Sequence, residues 1–229
     1  MRRGIYSLYC GAVFVGLGLA VVVVNAFVRD DHARRRIAGR HARAFLKAAR
    51  IPLAVEGIER LPGEACVVVA NHASYLDGIV AIAALPPQFA FVIKREMVRV
   101  PLAGFLLRRL GSEFVERFDP RRGAADARRV LKRATRGQSL VFFPEGTFTE
   151  VRQVGRFLRG AFTTAARAGM PIVAVAIHGT REVLPSGTAL LRRRPIKVEV
   201  LAVLRGEDAR DRSRELIAAA IGEPLASPE

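Results

Sequence analysis

The chain has 229 residues, of which 51% are hydrophobic, and a formal net charge of +16. That length fits one domain plus an anchoring segment, and that apolar fraction can fill a sizeable core. Two cysteines, Cys10 and Cys66, argue against a disulfide framework, and His32, His41, His72 and His178 are scattered without metal-ligand spacing, so no metal is expected. The sequence holds no phosphate-binding P-loop motif and no G-x-S-x-G nucleophile elbow. Its positive charge, from 33 Arg and 4 Lys, fits either a compositional bias towards arginine or attraction to anionic lipid headgroups. Near such a surface each basic residue is worth about 1 kcal/mol. Without an RNP-like motif, a zinc finger or any Trp, nucleic acid is a poor partner.

The chain opens with Gly4–Val28, 25 residues without a charge. A spanning helix needs about 20 apolar residues, whereas the apolar region of a signal peptide covers about 7–15 and ends in a small-residue cleavage site. Ala20–Ala26 offers no such site, so residues 1–31 read as an uncleaved membrane anchor, spanning or shallowly inserted. Arg29, Arg34, Arg35, Arg36, Arg40 and Arg43 follow it. The positive-inside rule then places the rest in the cytoplasm, at the inner face of the cell membrane. Residues 32–52 read as a basic amphipathic helix, His32–Arg50, closed by Pro52, lying on the membrane face or packed on the core.

Beyond Pro52 strands and helices alternate. The spacing predicts strands at Leu53–Glu56, Cys66–Ala70, Phe89–Ile93, Ser112–Glu116, Leu140–Phe143, Ile172–Ile177 and Ile196–Leu201. It predicts helices at Leu76–Leu85, Leu102–Leu110, Gly123–Arg136, Ala161–Ala168 and Asp208–Ile221. Short continuous apolar runs suit strands covered on both faces, so the fold class is α/β, a largely parallel sheet covered by helices. This domain is expected over residues 53–224, with a disordered tail at 225–229.

Two polar turns follow two of the buried strands. The first is Asn71-His72-Ala73-Ser74-Tyr75-Leu76-Asp77. A neutral imidazole takes a proton from an alcohol near pH 7, and a carboxylate on its other nitrogen fixes the tautomer. The same residues have a purely structural reading: Ser74-x-x-Asp77 is a capping box, in which Ser74 caps the helix and Asp77 reaches back to its amides. The second turn is Phe143-Pro144-Glu145-Gly146-Thr147, where the glycine permits a tight turn and close approach of backbone to a ligand.

From about residue 53 to 205 the chain resembles the glycerophospholipid acyltransferase family, within it the 1-acyl-sn-glycerol-3-phosphate acyltransferase branch. Four motifs occur in the family's order. The His72/Asp77 segment is the first, Gly111-Ser112-Glu113-Phe114-Val115-Glu116-Arg117 the second, Phe143–Thr147 the third, and Met170-Pro171-Ile172-Val173-Ala174-Val175 the fourth. Lys94-Arg95-Glu96-Met97 with Pro101 and Gly104, and Phe157-Leu158-Arg159-Gly160-Ala161, are also similar to family patterns.

The resemblance implies His72 as general base and Asp77 as its orienting carboxylate, deprotonating an acceptor hydroxyl for attack on an acyl thioester. It implies that Glu145, Gly146 and Thr147 help bind the acceptor, and that Arg117 binds its phosphate, with Lys94 a second phosphate candidate. A guanidinium makes paired charge-assisted bonds to phosphate oxygens; the structural alternative for Arg117 is an ion pair with Glu116 or Asp119. The implied partners are membrane lipids, acyl-CoA or acyl carrier protein as co-substrate, and a lysophospholipid acceptor, with no bound cofactor. The default acceptor is lysophosphatidic acid, giving phosphatidic acid.

Two positions depart from the family pattern. Phe148 stands where arginine often follows Pro-Glu-Gly-Thr, and Ala174 where a second proline is frequent. Phe148 keeps open another acceptor, lyso-phosphatidylethanolamine or a lyso-aminolipid. Outside acyl transfer, the rivals are a thioesterase and a membrane-anchored lipid-binding protein without catalysis.

Overall fold

The computed structural model describes residues 2–116, 120–147 and 151–226. Two helices, α1 (Arg2–Phe27) and α2 (Asp31–Ala48), precede the first strand, β1 (Leu53–Glu56). Then come β2 (Val67–Ala70), α3 (Leu76–Ala84), β3 (Ala90–Lys94), α4 (Ala103–Arg109), β4 (Glu113–Val115), α5 (Pro120–Ala134) and β5 (Leu140–Phe142). The chain finishes with α6 (Gly160–Ala168), β6 (Ile172–His178), the short α7 (Thr180–Val183), β7 (Ile196–Leu204) and α8 (Ala209–Ile221). Every strand and helix expected beyond Pro52 is present. α5 starts earlier than expected, at Pro120, where a fixed φ and a missing N–H suit a first helical position. The four residues of α7 are too few to carry a periodicity.

The strands form one sheet in the order β1-β7-β6-β2-β5-β3-β4. Neighbours are parallel except β6 and β7, so β7 and β1 run against the other five. Alternation sends side chains to two helical layers. Val68, Ala70, Val173, Val175 and Ile177 join a core with Phe45 and Leu46 of α2 and Val80 of α3. On the other face Val67, Val69 and Ile172 pack with Val130 of α5 and Ala165 of α6, and Ala174 packs with Ile217 of α8. All four residues of β2 are buried, as two-sided cover requires.

The first two helices are part of this packing. Cys10 of α1 and Ala42, Phe45 and Leu46 of α2 lie in the same core cluster as the central strands, so positions 31 and 52 are not packing boundaries. The apolar face of α2 is spent on the core; its outward stripe is Arg36, Arg40, Arg43 and Lys47, all exposed. Arg35 points inward and donates to the carbonyls of Leu110, Pro87 and Gln88.

Helix α1 is tied down near both ends. Tyr6 Oη donates to the Ala49 carbonyl at 2.7 Å, Ser7 Oγ accepts from Leu191 N at 3.0 Å, and the Arg193 guanidinium sits over the Tyr6 ring. At the other end Arg109 donates to the carbonyls of Asn25, Ala26 and Val28. Ile5, Leu8, Val15, Leu19, Val23 and Phe27 of this helix stay exposed. α1 is the described helix long and apolar enough to cross a membrane.

The tail departs from expectation at its start. Val154 N donates to Pro224 O, Ala226 N donates to Val154 O, and Arg214 of α8 also donates to Ala226 O. Leu225 and Ala226 are thereby held in a short parallel bridge. Residues 227–229 lie outside the described part.

Candidate active site

The turns after β2, β5 and β3 leave the same edge of the sheet, the carboxyl ends of its parallel strands, where open α/β sheets bind ligands. Asn71 begins the first turn and extends the ladder with its side chain. Its Nδ2 donates to Ile177 O at 2.9 Å, and its Oδ1 accepts from Ile177 N at 2.8 Å. The backbone of β2 is thus held to β6 one residue past its last pairing, Ala70 with Val175.

His72 follows, its side chain 22% exposed. Its Nδ1 lies 2.8 Å from Asp77 Oδ2, and the same oxygen accepts the N–H groups of Ala73 at 2.6 Å and Ser74 at 2.7 Å. Asp77 is fully buried. The capping box is therefore half formed: Asp77 reaches back to the Ser74 amide, but Ser74 Oγ donates to Leu184 O and accepts only a 3.3 Å contact from Leu76 N. One Asp77 oxygen thus meets both the imidazole and the amides of the turn. With Nδ1–H directed at Asp77, the proton-accepting nitrogen of the neutral ring is Nε2. The ring stacks on Phe143, with centroids 4.7 Å apart.

Glu145 does something the sequence did not indicate. Its Oε1 accepts the His72 N–H at 2.7 Å and its Oε2 the Gly155 N–H at 2.7 Å. Burial pushes the carboxyl above its ordinary value, and the two backbone bonds only partly offset this. Glu145 braces the backbone at His72. Gly146 adopts a positive φ of 81° and its N–H closes a turn on Phe143 O, as a tight turn requires. Thr147 lies exposed at the end of the described segment.

Lys94 ends β3 and is exposed; its partner in β4 is Val115. Lys94 is thus on the same sheet edge as His72, with β5 between their strands. Arg117 and Phe148 lie outside the described residues. Among the described residues, no three His, Cys, Asp or Glu side chains group closely enough to hold a metal ion.

Known proteins now bear on this geometry. A family model described as Acyltransferase matches residues 52–178. The chain belongs to the Acyltransferase family. A chloroplastic 1-acyl-sn-glycerol-3-phosphate acyltransferase of Brassica napus is 30% identical over 215 residues, 90% of this chain and 62% of that protein. The chain therefore spans less than two thirds of that relative. A lyso-ornithine lipid O-acyltransferase of Pseudomonas aeruginosa is 33% identical over 193 residues, 78% of this chain and 69% of that one. The fold matches the crystal structure of the LPA acyltransferase PlsC from Thermotoga maritima, with a TM-score of 0.78 at 23% identity, over 96% of this chain and 95% of that chain.

The sequence reading of this acyltransferase chain missed two supporting residues. Asn71 and Gly155 carried no signal, because their partners are remote in the chain.

Proposed function

We propose that the chain transfers a fatty acyl group from acyl-CoA, or acyl carrier protein, to the free hydroxyl of a lysophospholipid, 1-acyl-sn-glycerol-3-phosphate giving phosphatidic acid. The observation that carries this is the 2.8 Å contact between His72 Nδ1 and a buried Asp77 oxygen that also accepts two backbone N–H groups. That arrangement fixes the tautomer and makes Nε2 the basic nitrogen. The acceptor oxygen attacks the thioester carbonyl as His72 Nε2 takes its proton. Asp77 stabilises the imidazolium. The tetrahedral intermediate then expels the thiolate, which takes the proton back from His72, leaving ester, free thiol and neutral imidazole. Lys94 and Arg117 are the candidates for the acceptor phosphate.

In the same reading Glu145 positions His72, since its two oxygens hold the backbone N–H groups of His72 and Gly155.

The second acceptor, a lyso-aminolipid, is favoured by two observations. Phe148 removes a charge common at that position of the family. The Pseudomonas relative, which this chain covers over 69% of its length, is a lyso-ornithine lipid O-acyltransferase by name. Labelled acyl-CoA, or acyl carrier protein, offered to the purified enzyme with a panel of lysolipids decides between them. Label in phosphatidic acid alone supports the first acceptor, and label in the aminolipid product alone replaces it. No label from either donor on any acceptor contradicts acyl transfer.

We further propose that α1 lies along the cytoplasmic face of the inner membrane rather than crossing it. Its ties at Tyr6 and at Asn25–Val28 bind it to the domain over most of its length. Its exposed apolar stripe is then available to lipid, with Val100, Leu102 and Phe105 near α4 also exposed.

A further inference from the structure

Helices α5, α6 and α8 cover the face of the sheet opposite to that of α2 and α3. On α5 the inward positions are Asp126, Val130 and Ala134, all buried. Asp126 is the helix's one acid, clamped there by Arg95 and Arg129, which donate to it. The other side of the helix turns Arg121, Ala125, Arg128 and Lys132 to solvent, and Arg136 follows in the next turn of chain, also exposed. At about 3.6 residues per turn these positions fall on one stripe. It carries cations and no acid.

An arginine-rich composition does not explain this stripe. α8, in the same helical layer, interleaves its arginines with acids: Arg210 pairs with Asp211 at 2.9 Å and Arg212 lies 3.6 Å from Glu215. Arg129 and Arg133 of α5 are likewise engaged, by Asp126, Glu113 and the Gly111 carbonyl. Among the described residues no ion pair involves Arg128, Lys132 or Arg136. Lipid does not explain the stripe either. α1 packs with α2 and α4 in the layer across the sheet. A helix is about 10 Å thick, so a bilayer met by the exposed side of α1 stands at least about 20 Å from the outer side of α5. Charges are screened within about 8 Å at physiological salt.

The stripe begins beside the catalytic edge. β4 runs parallel to β3, so it ends at the edge that carries His72. A Cβ on Gly123, near the start of α5, would come within 3.0 Å of the Glu116 carbonyl oxygen, one residue past β4. From Arg121 to Lys132 the stripe runs about 16 Å, at about 1.5 Å per residue. That is an open helix side, matched by an acidic protein surface better than by the clustered phosphates of CoA.

We infer that the outward stripe of α5 docks the acyl donor in its protein-borne form, an acyl carrier protein presenting an acidic surface. The inference rests on the acyl-transfer reading and selects between its two donors. Charges on such a surface speed encounter and set partner choice, and they make binding sensitive to salt.

The test compares donors on the full chain, with the lysolipid that the wild type accepts and a fatty acyl thioester of either acyl carrier protein or CoA. The variant is Arg128→Gln/Lys132→Gln/Arg136→Gln, at exposed positions, with its fold checked by circular dichroism. It is expected to raise the KM for the carrier-borne donor about tenfold, with kcat and the KM values for acyl-CoA and lysolipid within about twofold. Added salt should lower kcat/KM for the carrier-borne donor in wild type and much less in the variant. Equal changes for both donors, an unchanged carrier KM, or a wild type that uses acyl-CoA alone would overturn the inference and leave acyl transfer in place. Lost binding to phosphatidylglycerol vesicles with the carrier KM kept would also overturn it, and assign the stripe to lipid. No transfer from either donor to any lysolipid would overturn the acyl-transfer reading, and this inference with it.

Discussion

The turn after β2 and the corner between β3 and β4 are each organised by buried carboxylates, but those carboxylates are satisfied by different groups. Asp77 and Glu145 take backbone N–H groups of Ala73, Ser74, His72 and Gly155. Asp126 takes one backbone N–H and two guanidinium groups. Proton affinity records the difference. Burial raises Glu145 in spite of its two amide bonds, whereas at Asp126 the bonds from Arg95, the Glu116 N–H and Arg129 together outweigh burial and hold the carboxyl low. Amide dipoles offset desolvation less than full charges do. The His72 turn is therefore fixed through main chain. The corner between β3 and β4 is held mainly through side chains, and a single substitution should loosen it without rerouting the backbone.

The largest effect that sharpens this contrast is expected at Asp77. In Asp77→Asn the amide oxygen can still meet Ala73 and Ser74, but the charge facing imidazolium is lost, so kcat should fall by about 10²–10⁴. Thermal stability should fall less than in Asp77→Ala, which leaves two amides without their acceptor, at about 1–3 kcal/mol for each unsatisfied group. Equal kcat in wild type and Asp77→Asn would reduce Asp77 to a cap.

A smaller effect is expected at Glu145. Glutamine offers one oxygen where two N–H groups need acceptors, so Glu145→Gln should lower the melting temperature and reduce kcat about tenfold. The acceptor KM should stay put; a rise in that KM with kcat intact would make Glu145 a substrate ligand and break the comparison.

The smallest effects are in the pH dependence of stability, with opposite signs for the two acids. Asp126 lies below its reference of 3.8 when folded, so its contribution is present above 3.8 and lost as pH falls through the folded value. Asp126→Asn should flatten the acid limb there. Glu145 lies above its reference of 4.5, so its contribution is complete below 4.5 and lost as pH rises through the folded value. Glu145→Gln should remove that loss. Urea midpoints taken from about pH 3 to 7 check both signs.

This contrast also explains what could be read from the sequence. The sheet was legible because its strands are short, continuous apolar runs, and the His72 turn because His72, Ser74 and Asp77 sit within one turn of chain. The Glu145 brace spans 73 positions to His72, and the Asp126 clamp 31 to Arg95. No local pattern reports pairings at that distance. Composition identified α1 as apolar, but its docking depends on Ala49, Arg109 and Leu191, each remote in the chain. Leu225 and Ala226 looked like free tail because their partner Val154 lies on an irregular segment.

The most direct test of the central claim is release of free thiol from acyl-CoA by wild type and by His72→Ala, each with and without lysophosphatidic acid and each shown to be folded by circular dichroism. General-base transfer predicts release that depends on the acceptor in wild type and falls by about 10²–10⁴ in the variant. Acceptor-dependent release at near wild-type rate in His72→Ala would contradict the mechanism, and release independent of the acceptor in wild type would make the protein a thioesterase.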